Sequence, residues 1–101
     1  MEGKASISSE VLGRYAADAA CEVRGVRGLV ASQLHRHRGV RVAVADGDTP
    51  TLEIHLEVEW GASIPAVGRE VQSRVGDYLT RMAGAPPAAV NVVVDAVAPA
   101  R

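Results

Sequence analysis

Glu53, His55, Glu57 and Glu59 occupy alternate positions, so on an extended chain three carboxylates and an imidazole share one face. Such groups are the raw material of general acid–base catalysis, which also needs a cleft and strongly shifted pKa values. An open strand face implies neither, and the expected reading is a solvated polar surface with no catalytic residues. His35 and His37 point the same way only if their segment is extended, and zinc requires further ligands at suitable spacing. A solvated basic loop is the simpler reading, and no metal or other cofactor is expected. Cys21 is the single cysteine, so it forms no internal disulfide, and it is expected beside a helical core stripe as a partly buried, inert side chain.

Charge is distributed unevenly along the chain. Arg24, Arg27, Arg36, Arg38 and Arg41 fall in a stretch, 24–45, that holds no acid, whereas 46–59 holds Asp46, Asp48, Glu53, Glu57 and Glu59 and no Lys or Arg. A basic patch attracts phosphates, but the acidic stretch beside it repels them. The formal net charge is −1, and the only aromatic residues are Trp60, Tyr15 and Tyr78. Neither a global field nor a platform for base stacking is present, so nucleic acid is not an expected partner. The bipolar pattern better suits self-association or docking, with Arg36 and Arg38 meeting Glu53 and Glu57. Arg-Gly-Val-Arg-Gly at 24–28 lacks a Walker lysine and reads as a turn.

The elements that carry these residues follow from periodicity. Residues 4–7 read as a short strand. Ser8 or Ser9 can cap a helix with Glu10 in its first turn, and Val11, Leu12, Tyr15, Ala16, Ala19, Ala20 and Val23 form its apolar stripe, with Gly25 just past its end. Leu29, Val30 and Leu34 suit a short strand or a helical turn equally. Val40, Val42 and Val44 alternate as a strand, 46–50 make a turn, and Leu52, Ile54, Leu56, Val58 and Trp60 alternate as a second strand. The two strands form an antiparallel hairpin, with Arg41 opposite a glutamate such as Glu57, a pair worth roughly 0.2–1 kcal/mol. Ser63 caps a second helix with the stripe Ile64, Val67, Val71, Val75, Tyr78, Leu79 and Met82, which stops at Gly84 and Pro86-Pro87. Val90, Val92, Val94 and Val97 form the last strand, and 98–101 is expected to be a flexible tail.

The predicted order is β-α-β-β-α-β, an α+β fold in which a small, mostly antiparallel sheet packs as one layer on two helices in a split βαβ arrangement. With 101 residues and 48% apolar content, one domain spanning 1–101 is expected. The opening Met-Glu-Gly-Lys-Ala-Ser has no apolar core of a secretory signal, and no stretch approaches the roughly 20 apolar residues of a spanning helix. A cytoplasmic setting without direct membrane insertion is therefore expected.

Ile7-Ser8-Ser9-Glu10-Val11-Leu12 resembles the helix start of the bacterial alkaline shock protein (envelope stress response) family. Val23-Arg24-Gly25-Val26-Arg27-Gly28-Leu29, Glu59-Trp60-Gly61, Ile64-Pro65, Arg69-Glu70-Val71-Gln72 and Val90-Asn91-Val92 are similar to further segments of that family, in the same order. Two departures stand out: the segment after Leu29 is shorter than in many relatives, and Trp60 replaces a more usual tyrosine. The resemblance implies a cytoplasmic, non-enzymatic protein linked to cell-envelope stress and held near the membrane by a separate membrane-anchored partner. It carries no catalytic residue. A homo-oligomer and such a partner are the expected contacts; the alternative is a regulator that binds a small molecule or metabolic enzyme of fatty-acid or lipid metabolism.

Overall fold

The computed structural model describes residues 7–30, 39–44, 49–84 and 86–99. Ser8 is extended and its hydroxyl accepts the Val11 N–H at 3.2 Å, which starts α1, Ser9–Cys21, with Glu10 in the first turn. Leu12, Ala16, Ala17, Ala19 and Ala20 make its buried face. Four of these five are alanine, so α1 can approach its neighbours closely. Val11, expected in the stripe, is 39% exposed. The chain turns at Gly25 (φ 97°), where a Cβ would stand 2.8 Å from the Val67 side chain. Only glycine suits that position.

Next comes β1, Val26–Leu29, which resolves the ambiguity over Leu29 in favour of a strand and places Gly28 inside it. Gly39 (φ 88°) then leads into β2, Val40–Ala43, and a Cβ there would lie 2.7 Å from the Val30 carbonyl oxygen. The longest uninterrupted alternation becomes β3, Thr51–Val58, in which Leu52, Ile54, Leu56 and Val58 are buried and the residues between them half-exposed. It ends two residues earlier than the alternation suggested. The Glu59 N–H donates to Gly25, the Ala62 N–H then closes a turn onto Glu59, and Trp60 is left 67% exposed.

The Ser63 hydroxyl accepts the Ala66 N–H at 3.3 Å and begins α2, Ile64–Ala83, which buries Val67, Val71, Val75 and Leu79 and is closed by the Gly84 N–H on Thr80. Ile64 and Met82, expected in that stripe, are each 45% exposed and lie in the first and last turns of the helix. β4, Ala89–Val97, follows.

β3 is the central strand. On one side it pairs antiparallel with β2 (Val40↔Ile54 to Ala43↔Thr51) and with β1 (Leu29↔Leu56 to Val26↔Val58). On the other side it pairs parallel with β4 from Thr51↔Ala89 to Val58↔Val97. Both helices cover the face of Leu52, Ile54 and Leu56: α1 packs on β1 and β2, α2 packs on β4, and the helices touch each other. Tyr15 and Tyr78 meet across the helix pair, with ring centroids 6.0 Å apart.

The two-layer α+β architecture and the mostly antiparallel sheet agree with the sequence reading. Three features differ. Among the described residues the order is α-β-β-β-α-β; Ile7 is not in a strand, and residues 4–6 lie outside the described set, as do 45–48 of the hairpin turn. β3 and β4 are direct neighbours, so β3–α2–β4 is a plain rather than a split βαβ unit. Ala98, expected in the tail, is 2% exposed and donates its N–H to Val58, so the ordered chain runs past β4.

Candidate functional site

The sheet face turned away from the helices presents the odd-numbered residues of β3, and here the polar side chains gather. His55 sits mid-strand with its side chain only 13% exposed. Its Nε2 lies 2.7 Å from Glu53 Oε2 and its Nδ1 lies 2.6 Å from Asp95 Oδ2. Glu53 arrives by the period of the strand, two residues away on the same face. Asp95 arrives by a register shift: Leu56 pairs with Val94 but Glu57 pairs with Ala96, so Asp95 is the extra residue of β4, set beside His55.

When both ring nitrogens carry protons, each N–H donates to a carboxylate, and the imidazolium bridges two strands. The hydrogen bond to Glu53 is the main reason the His55 pKa lies above its ordinary value. Burial acts against it, and the hydrogen bond and charge of Asp95 add to the rise. The Glu53 and Asp95 side chains are 36% and 38% exposed, so solvent screens the cluster.

The arrangement engages its own groups with one another. The carboxylates approach opposite edges of the ring and cannot converge with it on a single ion. Among the described residues no group of three or more His, Cys, Asp or Glu side chains could hold a metal. Cys21 lies at the exposed end of α1, yet partial burial of its sulfur, with the Asp18 charge adding to it, pushes the thiol pKa up, away from thiolate chemistry.

Of the residues expected to make contacts, Glu53 belongs to the His55 cluster, and Glu57 lies two residues further along the same face, paired with Gly28 of β1 and Ala96 of β4. Arg36 and Arg38 lie outside the described residues. Arg41 stands opposite Glu53, not Glu57, because β2 pairs with the first half of β3 and β1 takes the second half. Asp95 was missed. The sequence shows an acid inside a valine-rich strand, but only the parallel pairing of β4 with β3 makes it a partner for His55.

A second feature is an open groove of about 420 Å³ between α2 and the start of β4, with Gln72, Gly76, Asp77, Thr80 and Pro87 in its walls. The Gln72 amide spans it, donating to the Val90 carbonyl at 3.0 Å. No helix among the described residues is long and apolar enough to cross a membrane.

The two-layer α+β fold is one that known proteins share. The copper form of MamM CTD superposes with a TM-score of 0.66 at 19% identity, covering 87% of this chain and 85% of that one. The manganese form of a MamM CTD variant does so with the same TM-score and identity, covering 90% and 87%. At that identity the likeness establishes the fold. The sequence goes further: residues 1–99 match the alkaline shock protein 23 family, described by its cell envelope-related function, and the chain belongs to that family. It is also 33% identical over 100 residues to YqhY of Bacillus subtilis (strain 168), an uncharacterized protein, with 89% of this chain and 73% of that one covered.

Proposed function

We propose that this chain is a non-enzymatic, cytoplasmic interaction protein of the cell-envelope stress response, which self-associates and is held near the membrane by an anchored partner. The observation that carries this reading is the open sheet face, on which Glu53, His55 and Asp95 hold one another rather than line a substrate cleft, with Glu57 beside them on the same strand. Family membership supports the envelope setting. The acidic face would receive a basic surface, and the arginine-rich stretch of a second copy has the matching sign.

Charge reversal tests the contact. Arg38→Glu and Glu57→Lys should each weaken self-association, and the double variant should restore it. Unchanged oligomer size in all three would remove the bipolar contact. Crosslinked pull-down from separated membrane and soluble fractions tests the setting: a small membrane-anchored protein should be recovered in stoichiometric amount from the membrane fraction. The groove beside α2 supports a second reading, a regulator with a small-molecule or enzyme ligand in lipid metabolism. Its mark is a ligand-dependent rise in Tm.

A further inference from the structure

We infer that Glu53, His55 and Asp95 form a proton-operated latch: with the His55 ring charged it ties β4 to β3 at Asp95, and with the ring neutral it lets Asp95 go. The inference goes beyond the proposed function, since it concerns the chain alone and requires no partner.

Ionised carboxylates only accept hydrogen bonds, and one stands at each ring nitrogen, Glu53 Oε2 2.7 Å from Nε2 and Asp95 Oδ2 2.6 Å from Nδ1. A neutral imidazole has a single N–H. Its other nitrogen carries a lone pair, and a carboxylate oxygen held that close to a lone pair meets repulsion instead of a bond. Only the imidazolium, with two N–H groups, satisfies both contacts at once. Loss of the proton therefore breaks one of them.

The strands decide which one. Glu53 and His55 are neighbours on one face of one strand, so their contact needs no second element to persist. It is also the main cause of the raised His55 pKa. Asp95 is differently placed. The β3–β4 ladder skips it, running from Leu56↔Val94 to Glu57↔Ala96, and an extra residue of this kind has no Cα partner to hold it. Its side-chain bond to His55 is the tie across the irregularity, and that tie is the one released.

The other charged side chains on the strands around the ring are Glu57 of β3, Arg41 of β2 opposite Glu53, and Arg27 of β1 in the register shift between Val26 and Gly28. Both helices lie on the opposite face of the sheet. A rise in pH through the His55 midpoint then changes the open face in two ways. It frees the Asp95 segment of β4, and it adds one net negative charge.

NMR relaxation on the whole chain tests this across the titration of the His55 ring. Below the midpoint the backbone order parameter of Asp95 should match the rigid strands at about 0.85, and above it should fall toward about 0.6. His55→Gln should remove this pH step. Glu53→Gln is the sharper variant. Its amide can donate to the bare nitrogen of a neutral ring, which leaves the remaining N–H for Asp95, so Asp95 should stay ordered on both sides of the midpoint. Circular dichroism checks that the variants fold, and the wild-type titration decides by itself. An Asp95 equally ordered above and below the wild-type midpoint would overturn the latch, as would an undiminished step in folded Glu53→Gln.

Discussion

The two faces of β3 belong to the same eight residues and follow different rules. On one face Leu52, Ile54, Leu56 and Val58 are removed from water by two helices. On the other, Glu53 and His55 are held by each other and by Asp95, in contact with solvent. The covered face is additive and non-directional, so it needs only the right kind of residue at the right period. The open face is directional and depends on which strand lies alongside and in what register. Stability therefore belongs chiefly to the first face.

Truncating the covered face should have the largest effect. Leu56→Ala removes a fully buried side chain at the centre of the sheet and should cost about 2–5 kcal/mol in urea unfolding. Gly39→Ala probes the entry to β2, where the added Cβ meets the Val30 carbonyl in a positive-φ conformation. A loss of about 1–3 kcal/mol is expected in the same assay. Ser63→Ala, which strips the cap of α2 without touching either face, should cost about 1 kcal/mol.

The smallest and most diagnostic effect concerns His55. Its folded pKa is raised above the ordinary value, so the stability it contributes is fully present below about pH 6.5 and is lost as pH rises through the folded pKa. In an NMR titration the His55 ring should show a midpoint above 6.5. His55→Gln should flatten the stability–pH profile in that window, with a change of about 1 kcal/mol or less because its partners are partly solvated. A midpoint at or below 6.5 would show that the two carboxylates do not hold the imidazolium. If Leu56→Ala and His55→Gln cost the same, the contrast between the faces would be lost.

The covered face was the legible one. The alternation from Leu52 to Val58 and the four-residue steps of Val67, Val71, Val75 and Leu79 announced β3 and α2 because burial imposes a period on the sequence. The serine pair Ser8-Ser9, of which Ser8 is the cap, and Ser63 marked both helix starts, since a good cap carries a side-chain acceptor there. β1 was misread as a turn over 26–28 and left open at Leu29, because four residues that include Gly28 are too few to show a period. Trp60 continued the alternation past the end of β3, where backbone turning at Glu59 and Gly61, rather than side-chain type, decides the boundary. The open face was legible only in its local half. Glu53 and His55 share a strand and could be grouped by spacing, but Asp95, 40 residues from His55, enters through a parallel neighbour and a register shift that no local pattern encodes. The same blindness left open which glutamate faces Arg41, with Glu57 as the example where the register gives Glu53.

The parallel pairing of β3 with β4 also orders events in time. A parallel neighbour can be reached only by way of a crossover, here the whole of α2, so the β3–β4 ladder closes a far longer loop than the β2–β3 hairpin does. β4 should accordingly dock late, after the hairpin and α2 have formed. Until it does, one long side of β3 stands unpaired, with its apolar residues only partly sheltered. The interval between hairpin closure and the arrival of β4 is the moment at which this chain is most prone to join the wrong neighbour.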